Sequence, residues 1–312
     1  MTRDDVAAAG RRFAQNHANF LHRTPLWKLP GAALGLRCAE VWLKLEHLQV
    51  GGSFKARGML NRLLANTIPA SGVIVASGGN AGIATAAAAQ ALRVPCEVFV
   101  PTVSSPMKQA KLRELGAQVV VTGAVYAEAL EACLARQKAT GALMTHAYDQ
   151  PEVVAGAGTL AQEIEEQGGR PDSVLVSVGG GGLIAGIAAW FRDDVRVVAL
   201  EPELAPTLYK ARQAGEPVDV AVSGIAADSL GAKRIGAIAW DVTQRHVKDS
   251  LLLPDAAIRE AQLRLWKQMK LAVEPAAALG LAALQTGAYQ PRADEKVCLV
   301  ICGANLDPAT LA

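Results

Sequence analysis

An excess of charge of one sign is missing from this 312-residue sequence: 31 lysines and arginines stand against 29 acids, a formal net charge of +2. The two signs are interspersed, which excludes a nucleic-acid face or a basic membrane surface and points to small-molecule partners. Long apolar runs are missing too. The longest, Leu183 to Phe191, falls far short of the roughly 20 residues a membrane helix needs, so no spanning segment is expected. Met1-Thr2-Arg3-Asp4-Asp5 lacks the apolar stretch of a signal peptide, which makes the cytoplasm the expected location. The five cysteines, Cys38, Cys96, Cys133, Cys298 and Cys302, show no paired ligand spacing. Neither a zinc site nor a disulfide framework is therefore expected, and four of them read as core residues. Repeats, low-complexity tails and Gly/Ser/Pro-rich linkers are also absent, so if two domains exist the chain crosses between them more than once.

What is present is ample material for cores, with 51% hydrophobic residues. Short β-branched runs alternate with helical patterns. Val41 to Leu45, Val73 to Ala76, Glu97 to Val100, Val119 to Val121, Val174 to Val178, Val195 to Leu200 and Val297 to Ile301 read as buried strands. The class that follows is α/β with mostly parallel sheets. Ser104-Ser105-Pro106 opens a helix that Gly116 closes, and Pro254-Asp255 opens another running through Met269.

Chemistry concentrates at four places. Lys55, in Ser53-Phe54-Lys55-Ala56-Arg57-Gly58, follows Gly51 and Gly52 and opens a helical pattern. The positive end of a helix dipole favours its neutral amine, which can condense with an aldehyde, although such a lysine can equally point into solvent. Gly179-Gly180-Gly181-Gly182 lies between a strand and a helix, where several backbone N–H groups can converge on one phosphate. It lacks the Gly-Lys-Ser/Thr of a nucleotide loop and the acid of a dinucleotide fingerprint. Ser77-Gly78-Gly79-Asn80-Ala81-Gly82 opens an alanine-rich helix. Ser77 there is either a helix N-cap or, with the loop N–H groups, a grip on a carboxylate, while the Asn80 amide can donate to a ring oxygen. Cys302-Gly303-Ala304-Asn305 follows the last strand, at the carboxyl end where open α/β sheets place ligands.

These segments, with Glu201-Pro202 and Glu274-Pro275, occur in the order and approximate spacing of the fold-type II pyridoxal-phosphate enzymes, and the chain most resembles the serine/threonine dehydratases among them. The resemblance runs from Arg23-Thr24-Pro25-Leu26 to the C-terminus. It implies a tryptophan-synthase-β-like α/β fold with two intertwined open domains: residues 1–48 and 151–312 form the large one, and residues 49–150 an inserted small one. It further implies Lys55 as the Schiff-base lysine, Phe54 against one ring face and Ser229 over the other. Asn80 would contact the ring oxygen, Gly179 to Gly182 the phosphate, and Cys302 the pyridine nitrogen. Ser77, Gly78, Gly79 and Asn80 would hold the substrate carboxylate. A cation, K+ or Mg2+, would sit on Glu201 with carbonyls of Ala205, Leu230 and Ala232. A homodimer without a regulatory extension is expected.

The chain departs from relatives where Ala81 replaces a histidine, where Thr207 stands in place of a second acid, and where Gly78 replaces the serine that serves racemases as a second proton donor. His146-Ala147-Tyr148-Asp149 is expected to face the substrate. A thiol at the ring nitrogen, with an ordinary pKa of about 8.5, is too weak an acid to sustain a long-lived carbanion, which favours prompt β-elimination. The leading expectation is dehydration and deamination of L-serine or L-threonine to a 2-oxo acid and ammonia. A serine racemase or a dehydratase of another β-hydroxy amino acid is the alternative on the same scaffold. A non-catalytic phosphate-ligand sensor is the distant one, and Lys55 argues against it because sensing needs no nucleophilic amine.

Overall fold

The computed structural model describes residues 1–16 and 19–311. Among these, ten strands run in the order β1 (Leu26–Pro30), β2 (Glu40–Lys44), β3 (Val73–Ala76), β4 (Cys96–Val100), β5 (Gln118–Val121), β6 (Leu143–Met144), β7 (Ser173–Ser177), β8 (Arg196–Pro202), β9 (Val247–Leu253) and β10 (Lys296–Val300). The helices are α1 (Arg3–Asn16), α2 (Lys55–Leu64), α3 (Asn80–Leu92), α4 (Pro106–Glu114), α5 (Tyr126–Thr140), α6 (Pro151–Gly168), α7 (Gly182–Phe191), α8 (Thr207–Ala214), α9 (Ala237–His246), α10 (Asp255–Met269) and α11 (Pro275–Thr286).

Two sheets result, one of six strands ordered β1-β2-β10-β7-β8-β9 and one of four ordered β5-β4-β3-β6. Only the β1–β2 pair is antiparallel among the strand pairs. The α/β class with mostly parallel sheets is therefore as the sequence implied. All seven expected strands are present within two residues of their expected ends. The three unforeseen ones lie at sheet edges, where one side lacks a partner and the burial pattern weakens: β1 has no buried residue, and β6 has two residues. The helix opened by Ser105 and Pro106 forms as expected, with the Ser105 hydroxyl accepting from the Lys108 N–H and Gly116 in the left-handed region.

Small residues bring α6 and α7 together over the large sheet. A Cβ on Gly186 would lie 2.5 Å from both the Gly158 nitrogen and the Val154 carbonyl oxygen. These are backbone atoms that cannot rotate away, so the approach requires glycine. Gly186→Ala gains helix propensity of about 1 kcal/mol but must part the two helices. The steric effect dominates, and a net destabilisation of about 1–3 kcal/mol is expected from urea unfolding; an unchanged midpoint would refute the close approach.

Candidate active site

Lys55 is the first residue of α2, and its backbone is tied to the end of β10. The Phe54 N–H donates to the Cys302 carbonyl at 3.0 Å, Ala304 N–H donates to Gly52 at 2.9 Å, and Ser53 pairs with Gly303 in an isolated antiparallel bridge. The Lys55 ammonium donates to the Ala147 carbonyl at 2.5 Å and lies 5.1 Å from the Phe54 ring centroid. Burial lowers its pKa to about 8, against the opposing pull of Glu274 and Cys302. Such an amine is a usable nucleophile near neutral pH.

Cys302 is buried, and burial, reinforced by the Glu274 carboxylate, pushes its thiol well above the ordinary value. The side chain that sequence reading passed over is Glu274. It occupies the N-cap position of α11 yet makes no cap hydrogen bond, and turns its carboxylate into the cleft. Asn80, first residue of α3, donates to both of its oxygens at 3.1 Å. A Cβ on Gly303 would lie 2.3 Å from one of those oxygens, so the glycine makes room for the acid. Burial raises Glu274 to about 7, with Asn80 and Lys55 opposing the rise. An acid at a helix start whose side chain does not cap the helix has no local signature, which is why Glu274-Pro275 registered only as a motif.

The tetraglycine loop follows β7 and delivers its backbone to the start of α7. Gly181 sits at φ +86, and the first N–H groups of α7 lack intrahelical acceptors, as at any helix start. A Cβ on Gly180 would lie 2.3 Å from the Tyr148 ring, so the loop and that ring are in face contact. Ser229 lies in the loop beside it, for Leu230 packs on Gly179 and the Asp228 carbonyl faces Gly79. Phe54, Lys55, Asn80 and Cys302 are thus tied together through Glu274 and the end of β10, and Ala147, Tyr148 and residues 228–230 connect them to Gly179–Gly182 and Ser229.

Ser77 differs from its capping expectation: Gly79 takes the N-cap position of α3, and the Ser77 hydroxyl accepts from the Gly79 N–H at 3.3 Å. Beside Gly78 lies Ser104, whose buried hydroxyl has no hydrogen-bond partner and sits 2.9 Å from where a Cβ on residue 78 would be. The His146 to Asp149 stretch divides. Ala147 and Tyr148 face the cleft, whereas the Asp149 carboxylate caps α9, accepting from the Ala237 and Ile238 N–H groups at 3.0 Å each. His146 Nδ1 accepts from the Asp149 N–H at 3.0 Å, and burial keeps the ring below its ordinary pKa.

Glu201 lies at the end of β8, fully buried. It accepts from the Leu208 and Tyr209 N–H groups at 2.7 and 2.8 Å and from the Thr207 hydroxyl at 3.1 Å. The Thr207 hydroxyl also lies 2.5 Å from the Gly179 carbonyl oxygen. Burial raises Glu201 to about 7, and no cationic side chain forms an ion pair with it among the described residues. Among the described residues no group of three or more His, Cys, Asp or Glu is placed to hold a metal ion.

A buried, easily neutralised lysine, linked through Ala147 and Tyr148 to a glycine-rich helix start, suits one class: an enzyme that binds a phosphorylated aldehyde cofactor. The chain belongs to the pyridoxal-phosphate dependent enzyme family, whose model matches residues 18–303. It is 33% identical over 312 residues to an L-threonine ammonia-lyase of Thermotoga maritima, covering 98% of this chain and 76% of that one. Among solved structures it resembles a threonine deaminase from T.th., with a TM-score of 0.89, 35% identity, and 98% and 99% of the two chains covered. A maize serine racemase matches with a TM-score of 0.91 at 29% identity, covering 99% and 95%. No helix among the described residues is long and apolar enough to cross a membrane.

The lowered pKa makes a prediction. Competitive amine labelling of the apoprotein, read by mass spectrometry, should show Lys55 half-reactive near pH 8 rather than near the 10.5 of an unperturbed lysine. The folded state binds fewer protons than the unfolded one between those values, so this group adds stability as pH rises from about 8 to 10.5. Lys55→Met should flatten that slope. A Lys55 that labels like the surface lysines would contradict the burial argument.

Proposed function

We propose that the protein is a pyridoxal-phosphate-dependent ammonia-lyase that converts L-threonine, L-serine or both to a 2-oxo acid and ammonia. The observation that carries this is the conjunction of Lys55, with its buried amine, and the protonated thiol of Cys302 at the same strand end. The residues fit the cofactor: the Gly179–Gly182 backbone for its phosphate, Lys55 for its aldehyde, Asn80 for its ring oxygen, Cys302 for its ring nitrogen, Phe54 and Ser229 for its two faces. When bound, pyridoxal phosphate withdraws electrons and acidifies the α-carbon of the substrate. Lys55, as the free amine, would accept the α-proton and could pass it to the departing β-hydroxyl. Ser77, Gly78, Gly79 and Asn80 hold the substrate carboxylate at the start of α3, where the helix dipole favours it. The β-hydroxyl leaves as water, and the unsaturated amine released hydrolyses to the 2-oxo acid and ammonia. Cys302 keeps its proton and adds no charge at the ring nitrogen, which favours elimination over longer-lived carbanion chemistry.

Racemisation on the same scaffold needs an acid on each face of the carbanion. Lys55 serves one face, and Gly78 has no proton to offer the other. Incubation with L-threonine should yield 2-oxobutanoate, and with L-serine pyruvate, with negligible D-serine by chiral chromatography. Gly78→Ser, whose new hydroxyl would lie beside Ser104, should introduce some racemisation. D-serine accumulating as fast as pyruvate in the unmodified protein would overturn the assignment.

The same proposal includes a K+ or Mg2+ ion at Glu201 with the carbonyls of Ala205, Leu230 and Ala232. A buried carboxylate without an ion-pair partner supports it, and oxygen-only donors with one carboxylate suit a hard cation. Exchange into buffer free of both ions should lower thermal stability and activity, restored by adding one back; indifference to ions would remove the site. A small domain of residues 49–150 is supported by the four-stranded sheet falling wholly within it. A cytoplasmic location is supported by five free cysteines, and a homodimer by the prevalence of two-fold assemblies.

A further inference from the structure

The carboxamide of Asn305, three residues past Cys302, lies over Gly52, whose absent Cβ would come within 2.9 Å of its oxygen. Its Oδ1 accepts from the Lys111 ammonium on α4 at 2.9 Å. Its Nδ2 donates to the Gly51 carbonyl at 2.7 Å and to Asn80 Oδ1 at 2.7 Å. Neither end of this amide is free to reverse. An ammonium can only donate, and a carbonyl can only accept, so the two fixed partners set which end of Asn305 is oxygen and which is nitrogen. That choice propagates. Asn80 must present its oxygen to Asn305 and therefore its NH2 to the cleft, where it meets Glu274 at 3.1 Å. Reversed, Asn80 would set a carbonyl oxygen against the Glu274 carboxylate and against any anionic ring oxygen.

We propose that Asn305 is a positioning residue that, fixed by Lys111 and the Gly51 carbonyl, sets the polarity of the Asn80 amide so that it meets the cofactor's ring oxygen as a donor. The inference rests on the assignment of Asn80 to that oxygen. Its chemistry is directional: a one-way chain of hydrogen bonds runs from Lys111 through Asn305 and Asn80 to Glu274. With the Gly51 carbonyl it links five segments distant in sequence: the turn before Lys55, the start of α3, α4, the start of α11 and the C-terminal loop.

The test is a pair of spectral titrations of the apoprotein, one with pyridoxal phosphate and one with its 3-deoxy analogue, which lacks the ring oxygen. The unmodified protein should prefer pyridoxal phosphate. Asn305→Asp keeps the shape and the bond to Lys111 but can donate neither to Asn80 nor to the Gly51 carbonyl. It should weaken pyridoxal phosphate about tenfold, the scale of one hydrogen bond to a charged group, and leave the analogue unchanged. A purely structural role would weaken both ligands equally, and that result, or no change in either, overturns the proposal. Should Asn305→Asp fail to fold, Asn305→Ala is read by the same ratio. If the unmodified protein binds pyridoxal phosphate without preference for the ring oxygen, the Asn80 assignment itself fails. If it shows the preference and the Asn305 variants keep it, only the positioning role fails.

Discussion

The active site depends on a pair of buried charges outside it. Arg57, two residues beyond Lys55 on α2, grips Glu46 through two nitrogens at 2.7 and 2.8 Å and reaches Glu163 on α6 at 3.0 Å. Lys44 at the end of β2 meets the same Glu163 at 2.5 Å. Burial alone would raise Glu46, yet the Arg57 guanidinium, helped by Lys44 and the Thr24 hydroxyl, outweighs it and holds the carboxyl below its ordinary value. Burial alone would lower Arg57, and its two acids reverse that. Each charge at this depth is tolerated because the other is there, and removing one partner of such a pair costs about 3–5 kcal/mol. The network clamps α2 to the large sheet and to α6, so the lysine at its first turn has a fixed place at the carboxyl end of β10. Geometry at Lys55 is inherited from charges that never touch the substrate.

That dependence explains what could be read from the sequence and what could not. Strands buried on both faces, such as Val73–Ala76, announce themselves as unbroken β-branched runs. β9, with Lys248 and Asp249 near its start at a sheet edge, does not. In the site, the legible residues are those whose chemistry is local: a lysine at a helix start, glycines between a strand and a helix, an asparagine opening α3, a cysteine at a strand end. Glu274 and Asn305 sit in the same motifs, but their partners are Asn80, Lys111 and Gly51, all more than a hundred residues away. Nothing in a one-dimensional pattern says that a capping-position acid will leave its helix uncapped, or that Asp149 will cap a helix at Ala237. Ser77 shows the reverse error, a residue with good local credentials displaced from the cap by the glycine two places on.

The titratable groups of the cleft share one cause. Burial drives Lys55 down to about 8 and Glu274 up to about 7, and each partly restrains the other's shift. Both displacements favour the neutral form and bring each group within about a unit of neutral pH. The restraint is also a coupling. Were Lys55 to lose its charge, the cation that holds Glu274 down would go with it. Its carboxyl would then move further toward the protonated form. Cys302 responds less, because its thiol already lies well above the neutral range and stays protonated on either side of that change. Glu274 is thus the group whose protonation tracks the state of the lysine. The Asn80 amide, donating to both of its oxygens, is the side chain that meets that change directly.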